Sequence, residues 1–343
     1  ITPIESAAVE AKINQTSHLI FLRDIVLTNI LDDELQGMLG SLIFLRHIEI
    51  IKHFQQDQHY MKRLFRILGL ESADSVEQKR DVVTFMHQFC SIVKMIPPTY
   101  CSGVYRSLSQ YGLFNLFRFA LQDDDKRIKQ AGVEILGSVL AQDRALVRSF
   151  ALDQVKHQQS QHGEGSIGNQ TLLGLLVDSI RKAGGMNDGE EEGGIHSQCG
   201  DIIRVLLDTT VSAGAGDSNS NNYGGNGSDE FEGSQKNGEN KDKSPQAKKG
   251  MDVETAEFLE CFYSKYMAEM MRPLFVIDEA TIPKIDASRL RAWVVQFLCE
   301  ILTLSVTHHS CRSRYFVFSS DVVDHIVKLF SCKRKELKLA ALR

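Results

Sequence analysis

Asp123-Asp124-Asp125-Lys126-Arg127-Ile128-Lys129-Gln130-Ala131-Gly132-Val133-Glu134-Ile135-Leu136-Gly137-Ser138-Val139-Leu140-Ala141-Gln142 decides the fold class. Ile128, Ala131, Ile135, Leu136, Val139 and Leu140 recur at steps of three and four, the spacing of one apolar stripe on a helix. The three aspartates stand at its start, where carboxylates accept unpaired backbone N–H groups and suit the helix dipole. Two broader stripes lie downstream, one through Leu290, Trp293, Val294, Phe297, Leu298, Ile301 and Leu302, the other through Leu259, Phe262, Tyr263, Tyr266, Met267, Met270 and Met271. Further helices are predicted over roughly 33–54, 57–69, 76–95, 98–110, 112–121, 144–157, 170–182 and 199–211.

Proline use points the same way. Six prolines occur, at 3, 97, 98, 245, 273 and 283, so the long interval between 98 and 245 is free of the strongest helix breaker. Both Asn-Gly dipeptides, at 226–227 and 237–238, fall in one polar tract rather than between alternating apolar runs, and no segment reads as a strand.

An internal echo sets the arrangement. Lys126–Val133 matches Lys335–Leu342 in its basic start, first apolar residue and paired small residues; upstream, Leu113, Phe114, Phe117 and Leu121 fall opposite Val322, Val323, Ile326 and Phe330. Each copy reads as a short apolar helix, a charged turn and a helix whose small residues admit a close neighbour. Armadillo and HEAT units of about 40 to 47 residues have this character and stack into a continuous core. Two copies alone leave a compact helical bundle open. The predicted fold is all-α, an armadillo/HEAT-like solenoid over 1–211 and 251–343, interrupted by a disordered Gly/Ser/Asn-rich insertion at 212–250 whose few apolar residues cannot offset ordering entropy. Shorter loops are expected at Ala183–Gly194 and about 158–168.

At 343 residues, 43% apolar and 24% charged, the composition is that of an ordinary globular protein. No uninterrupted apolar run reaches the roughly 18 residues of a membrane span. With 39 Lys plus Arg against 44 Asp plus Glu, net −5, no overall positive field draws the chain to nucleic acid or anionic lipid. Seven scattered cysteines without a C-x-x-C pair read as packed thiols in a reducing compartment. The start at Ile1 and the stop inside Leu337–Leu342 suggest a piece of a longer polypeptide.

Chemical motifs are sparse. Gly163–Gly168 fits G-x-G-x-x-G, but the segment before it is polar where a nucleotide fold needs an apolar strand. His308, His309 and Cys311 lack a fourth zinc ligand at suitable spacing, and His53, Asp57 and His59 are more scattered. No nucleophile elbow, H-E-x-x-H or P-loop is present, and the three glycosylation sequons carry no weight without evidence of secretion. Ser244-Pro245, followed by Lys248 and Lys249, fits a proline-directed kinase site. Lys333-Arg334-Lys335 reads as a solvated turn between helices, with an acidic partner contact as the sharper alternative.

Phe21–Leu27, Leu39–Phe44, Ile48–Ile51, Phe85–Cys90, Leu259–Tyr263, Leu302–His309, Tyr315-Phe316 and Ala340–Arg343 form, in this order, a pattern that resembles the central region of the protein phosphatase 4 regulatory subunit 3 family, also called SMEK or falafel. The likeness spans nearly the whole chain. It departs in the 212–250 insertion and lacks the family's N-terminal pleckstrin-like domain and acidic tail, so recognition of short Phe/Pro motifs by that domain does not transfer to these residues. The resemblance implies a non-catalytic scaffold that joins the phosphatase 4 catalytic subunit and its core regulatory subunit and directs them to phosphoproteins in nucleus and cytoplasm. It implies no cofactor, no metal, and no direct contact with nucleic acid or membrane. The metallophosphatase motifs agree by their absence: Gly200-Asp201-Ile202-Ile203 begins like one of them but lacks the rest.

Candidate partner contacts are Arg23, Asp24, His308, His309 and Arg314, polar positions beside the family-like blocks. The alternative function is an armadillo-type peptide-binding or transport adaptor, whose grooves use repeated Trp and Asn where this chain has the single Trp293.

Overall fold

Residues 6–27, 30, 32–70, 75–97, 99, 103–162, 171–185, 193–209 and 253–343 are described by the computed structural model. Within them the chain forms seventeen α-helices and no strand. Helix α1 (Ala7–Phe21) runs into a π-helical turn at Leu22–Val26, followed by α2 (Asp33–Gln56), α3 (Gln58–Arg66), α4 (Ser75–Lys94), α5 (Val104–Tyr111), α6 (Leu113–Gln122), α7 (Lys126–Gln142), α8 (Arg144–His162), α9 (Leu172–Gly184) and α10 (Gly193–Leu207). The later helices are α11 (Val253–Lys265), α12 (Met267–Phe275), α13 (Ile282–Ala287), α14 (Arg289–His308), α15 (Ser310–Ser319), α16 (Val322–Lys328) and α17 (Lys335–Leu342). The predicted insertion at 212–250, with Ser244, and the Gly163–Gly168 motif lie outside the described residues.

Three rows of helices build the array. In one row α4, α7, α10, α14 and α17 pack side by side; in a second α3, α6, α9, α12 and α16 do so; in a third α8 touches α11 and α11 touches α15. The repeating unit is therefore a helix triplet: α5–α6–α7, α8–α9–α10, α11–α12–α14 and α15–α16–α17, with α13 inserted before α14. This is an all-α helical-repeat solenoid in the armadillo manner. The sequence echo pairs the second and third helices of two triplets, α6–α7 with α16–α17. Its two-helix reading needs correction, because each unit also carries a leading helix. In the last triplet that helix is α15, whose Ser-Cys-Arg-Ser-Arg-Tyr-Phe-Val-Phe-Ser sequence has no clear stripe.

Helix α7 shows why the apolar faces are wide. It packs against α4, α6, α8 and α10, and Ile128, Ala131, Val133, Ile135, Leu136, Val139 and Leu140 are all buried. Of its three leading aspartates only Asp125 is the cap, accepting from Arg127 N at 2.8 Å. Asp123 instead accepts from Asp125 N at 2.8 Å and from the Arg80 guanidinium on α4 at 3.0–3.2 Å, tying the α6–α7 turn to the neighbouring unit. Asp32, Asp57 and Thr171 cap α2, α3 and α9 in the same way, and Gly112, at φ 106, makes the corner between α5 and α6.

Two sequence readings are refined. The stripe from Leu259 to Met271 is buried as expected, Tyr263 only partly, but it breaks at Tyr266 into α11 and α12 because the two halves serve different rows, α11 against α8 and α12 against α9. Helix α14 has the length and mean hydropathy to cross a membrane although Arg291, Gln296 and Glu300 interrupt its apolar run; half of its apolar window is buried, and it packs against α9, α10, α12, α13, α15 and α17 as a core helix does.

Small residues set the spacing of the rows. A Cβ built on Gly132 of α7 would stand 2.6 Å from the Cβ of Ala120 on α6, an atom held by backbone. Gly132→Leu is expected to force the two helices apart and lower stability by about 1–3 kcal/mol, measured by urea denaturation.

Candidate interaction surfaces

The row containing α4, α7, α10 and α14 carries a run of polar side chains that crosses from helix to helix. His87 Nε2 lies 2.5 Å from Glu134 Oε2, Gln130 donates to Glu134 at 2.7 Å and to Gln198 at 3.0 Å, and Arg204 and Gln296 both donate to Glu300, at 2.6 and 3.0 Å. The amide of Gln130, aided by His87, holds the Glu134 carboxyl below its ordinary range. All these groups are half-buried. Partly exposed ion pairs add only about 0–1 kcal/mol each, so the ladder matters more as a patterned hydrogen-bonding face than as a source of stability.

The five proposed contact residues divide into two groups at opposite ends of the array. Arg23 and Asp24 sit in the π turn and bind each other through two hydrogen bonds of 2.6 and 3.0 Å, beside the exposed Phe21, Ile25 and Val26. Burial, with the nearby Arg23 charge, pushes the pKa of His47 on α2 down. His308 and Arg314 are exposed at the α14–α15 corner, next to Tyr315 and Phe318, which are 79% and 86% exposed.

His309 does not belong with them. It is 4% exposed, so the expectation of a surface contact is corrected: the residue between α14 and α15 turns its ring inward, where Nδ1 lies 3.2 Å from the Tyr263 hydroxyl of α11. The Lys333–Lys335 run is a tied turn, since the Lys333 and Arg334 backbone N–H groups donate to the Asp286 carboxylate at 2.9 and 3.3 Å. Among the described residues no group of three or more His, Cys, Asp or Glu side chains is placed to hold a metal ion.

Beneath the His308 corner lies a buried polar cluster with no local signature in the sequence. Arg148 of α8 is 3% exposed; its guanidinium donates to Leu206 O at 3.0 and 2.8 Å, to Asp208 O at 2.9 Å and to Thr255 Oγ1 at 3.2 Å, and stands 5.8 Å from the centre of the Phe258 ring. These partners lie 58 to 110 positions further along the chain. One side chain therefore caps the end of α10 and grips the start of α11, on the two sides of residues 210–252. His309 feels the same environment: burial pushes its pKa down to about 4, the charges of His308, Arg312 and Arg148 add to that, and the Leu207 backbone works in the opposite direction.

Sequence comparison adds the family to this geometry. The family profile described as Phosphatase 4 regulatory subunit 3 matches residues 1–343. The chain belongs to that family. A serine/threonine-protein phosphatase 4 regulatory subunit 3 of Drosophila melanogaster is 23% identical over 99% of this chain and 30% of its own length. An uncharacterized protein of Schizosaccharomyces pombe is 24% identical over 100% of the chain and 37% of its own length, and Suppressor of Mek1 of Dictyostelium discoideum 22% over 94% and 25%. The chain thus spans roughly a third of the length of these relatives. No solved structure matches it. The family and the Drosophila relative are named as regulatory subunits, not as the catalytic enzyme.

Two measurements probe the buried cluster in this family member. Arg148→Met leaves the carbonyls of Leu206 and Asp208 without their donor, and a loss of about 1–3 kcal/mol in urea denaturation is expected. His309 has a folded pKa below its unfolded value near 6.5, so the unfolded chain takes up a proton first as pH falls. Its share of stability is fully present above pH 6.5 and is lost toward pH 4. Between pH 7 and pH 5 the wild type should lose about 2 kcal/mol more than His309→Gln.

Proposed function

We propose that this chain is the helical-repeat core of a non-catalytic regulatory subunit of protein phosphatase 4, which joins the catalytic subunit and its core regulatory subunit and directs them to phosphoprotein substrates. The observation that carries this reading is the match of the regulatory-subunit family across residues 1–343, on a chain whose described residues form stacked helices with extended polar and apolar faces. A scaffold of this kind raises substrate concentration near another subunit's active site by tethering, and needs no reactive group of its own. Arg23, Asp24, His308 and Arg314 are the surface positions proposed to meet the phosphatase, and Ser244 is proposed as a kinase site that adjusts the charge of the insertion. Location in nucleus and cytoplasm completes the proposal. It is compatible with the six described cysteines being free thiols, of which Cys90 and Cys299 are pushed up to about 12 by burial and so are unreactive.

Affinity purification of the full-length polypeptide from cells is expected to recover both phosphatase subunits. Charge reversal at Arg314, or at Arg23, should reduce that recovery several-fold while the helical circular-dichroism spectrum is unchanged. Absence of both subunits from the wild-type purification would refute the proposal.

A further inference from the structure

Where α9, α12, α13 and α14 meet, the array leaves a groove of about 230 Å³. Its floor is apolar, formed by Pro273, Val276, Ile277, Ile285 and Val295, and Val276 is exposed. Its rim carries Arg181, Arg272, Lys284 and Arg291, with no carboxylate among the lining residues. Lys328 of α16 approaches from the side, its ammonium 3.4 Å from Ile277 O.

The walls are built rather than incidental. A Cβ on Gly184 would stand 2.8 Å from Pro273, so the end of α9 is seated directly on α12. The Arg291 guanidinium donates to Gly185 O at 3.1 Å and closes one end. Nearby carboxylates are already engaged: Asp178 by Arg181 and Lys182, Glu269 by Arg272 at 3.3 Å, and Asp278 by Thr281 N at 2.7 Å.

We infer that this groove docks an acidic linear peptide of a protein partner, one bulky apolar residue filling the floor and flanking carboxylates meeting the rim. Size and charge select this occupant. Sites for drug-sized ligands hold about 300–1,000 Å³, so this groove suits a single side chain better than a cofactor. A net charge of −5 makes the chain as a whole repel acidic segments, whereas here Arg181, Lys182, Arg272, Lys284, Arg291 and Lys328 outnumber the Asp178, Glu269 and Asp278 carboxylates beside them, which reverses that sign locally. The inference goes beyond the phosphatase reading and does not depend on it, since the binding requires no phosphatase subunit.

The test is selection of a random twelve-residue peptide display library on the full chain, followed by fluorescence anisotropy of an enriched peptide. Enriched peptides should share an apolar residue flanked by acids. The Arg272→Glu/Lys284→Glu variant should bind at least tenfold more weakly at unchanged melting temperature, and Arg272→Lys/Lys284→Arg should retain binding. Enrichment without acidic bias, or equal binding by the charge-reversed variant, would overturn the inference. So would binding seen only after Glu190, Glu191 and Glu192 are changed to Gln, which would make the chain's own acidic run the occupant.

Discussion

A cation taken out of water needs oxygens to replace its hydration, and Arg148 finds them at the junction between the end of α10 and the start of α11. Helix α10 ends with carbonyls that its own turns leave unpaired, and α11 begins beyond residues 210–252. The guanidinium fork spans both ends at once, giving two donors to Leu206, one to Asp208 and one to Thr255. A single ammonium could not reach all of these at fixed geometry. Stacking across the gap, α8 on α11, α9 on α12 and α10 on α14, therefore does not require the intervening residues to act as a rigid connector.

The same stacking explains why surfaces, rather than a pocket with reactive groups, dominate this protein. Helices in the middle of the rows are apolar on most of their circumference, so polar side chains are confined to narrow strips. On the α4–α7–α10–α14 row that strip becomes the His87–Glu134–Gln130–Gln198 run and the Arg204–Glu300–Gln296 group. At the junction of α9, α12, α13 and α14 it becomes a cationic rim over an apolar floor. The end helices lack a neighbour on one side among the described residues, which leaves Ile25, Met38, Tyr315 and Phe318 exposed.

Much of the fold was legible from periodicity because an amphipathic stripe is a local property. The ends of α2, α4 and α6 fall within a residue or two of the expected positions, and α3 reaches its expected end at 69 only through a 3₁₀ turn at Ile67–Gly69. Helices α1, α13 and α15 were not legible: α1 buries only Val9 and Thr16, α13 is a six-residue element, and α15 mixes aromatic and polar residues without a stripe. Of the candidate contacts, the chain neighbours Arg23 and Asp24 are also spatial partners, whereas the adjacent His308 and His309 part company because a helix corner turns one outward and the other inward.

Apolar spacing and the scarcity of proline were enough to establish helices, since each depends on residues within one or two turns of each other, while the Lys126/Lys335 echo pointed to repeating units but left a compact bundle open. Family membership was likewise written in the order of short apolar blocks. The triplet unit, the Arg148 cluster, the inward His309 and the cationic groove were decided only by tertiary structure. Their parts lie tens of positions apart, and neither burial nor charge neighbourhood exists until the rows are stacked.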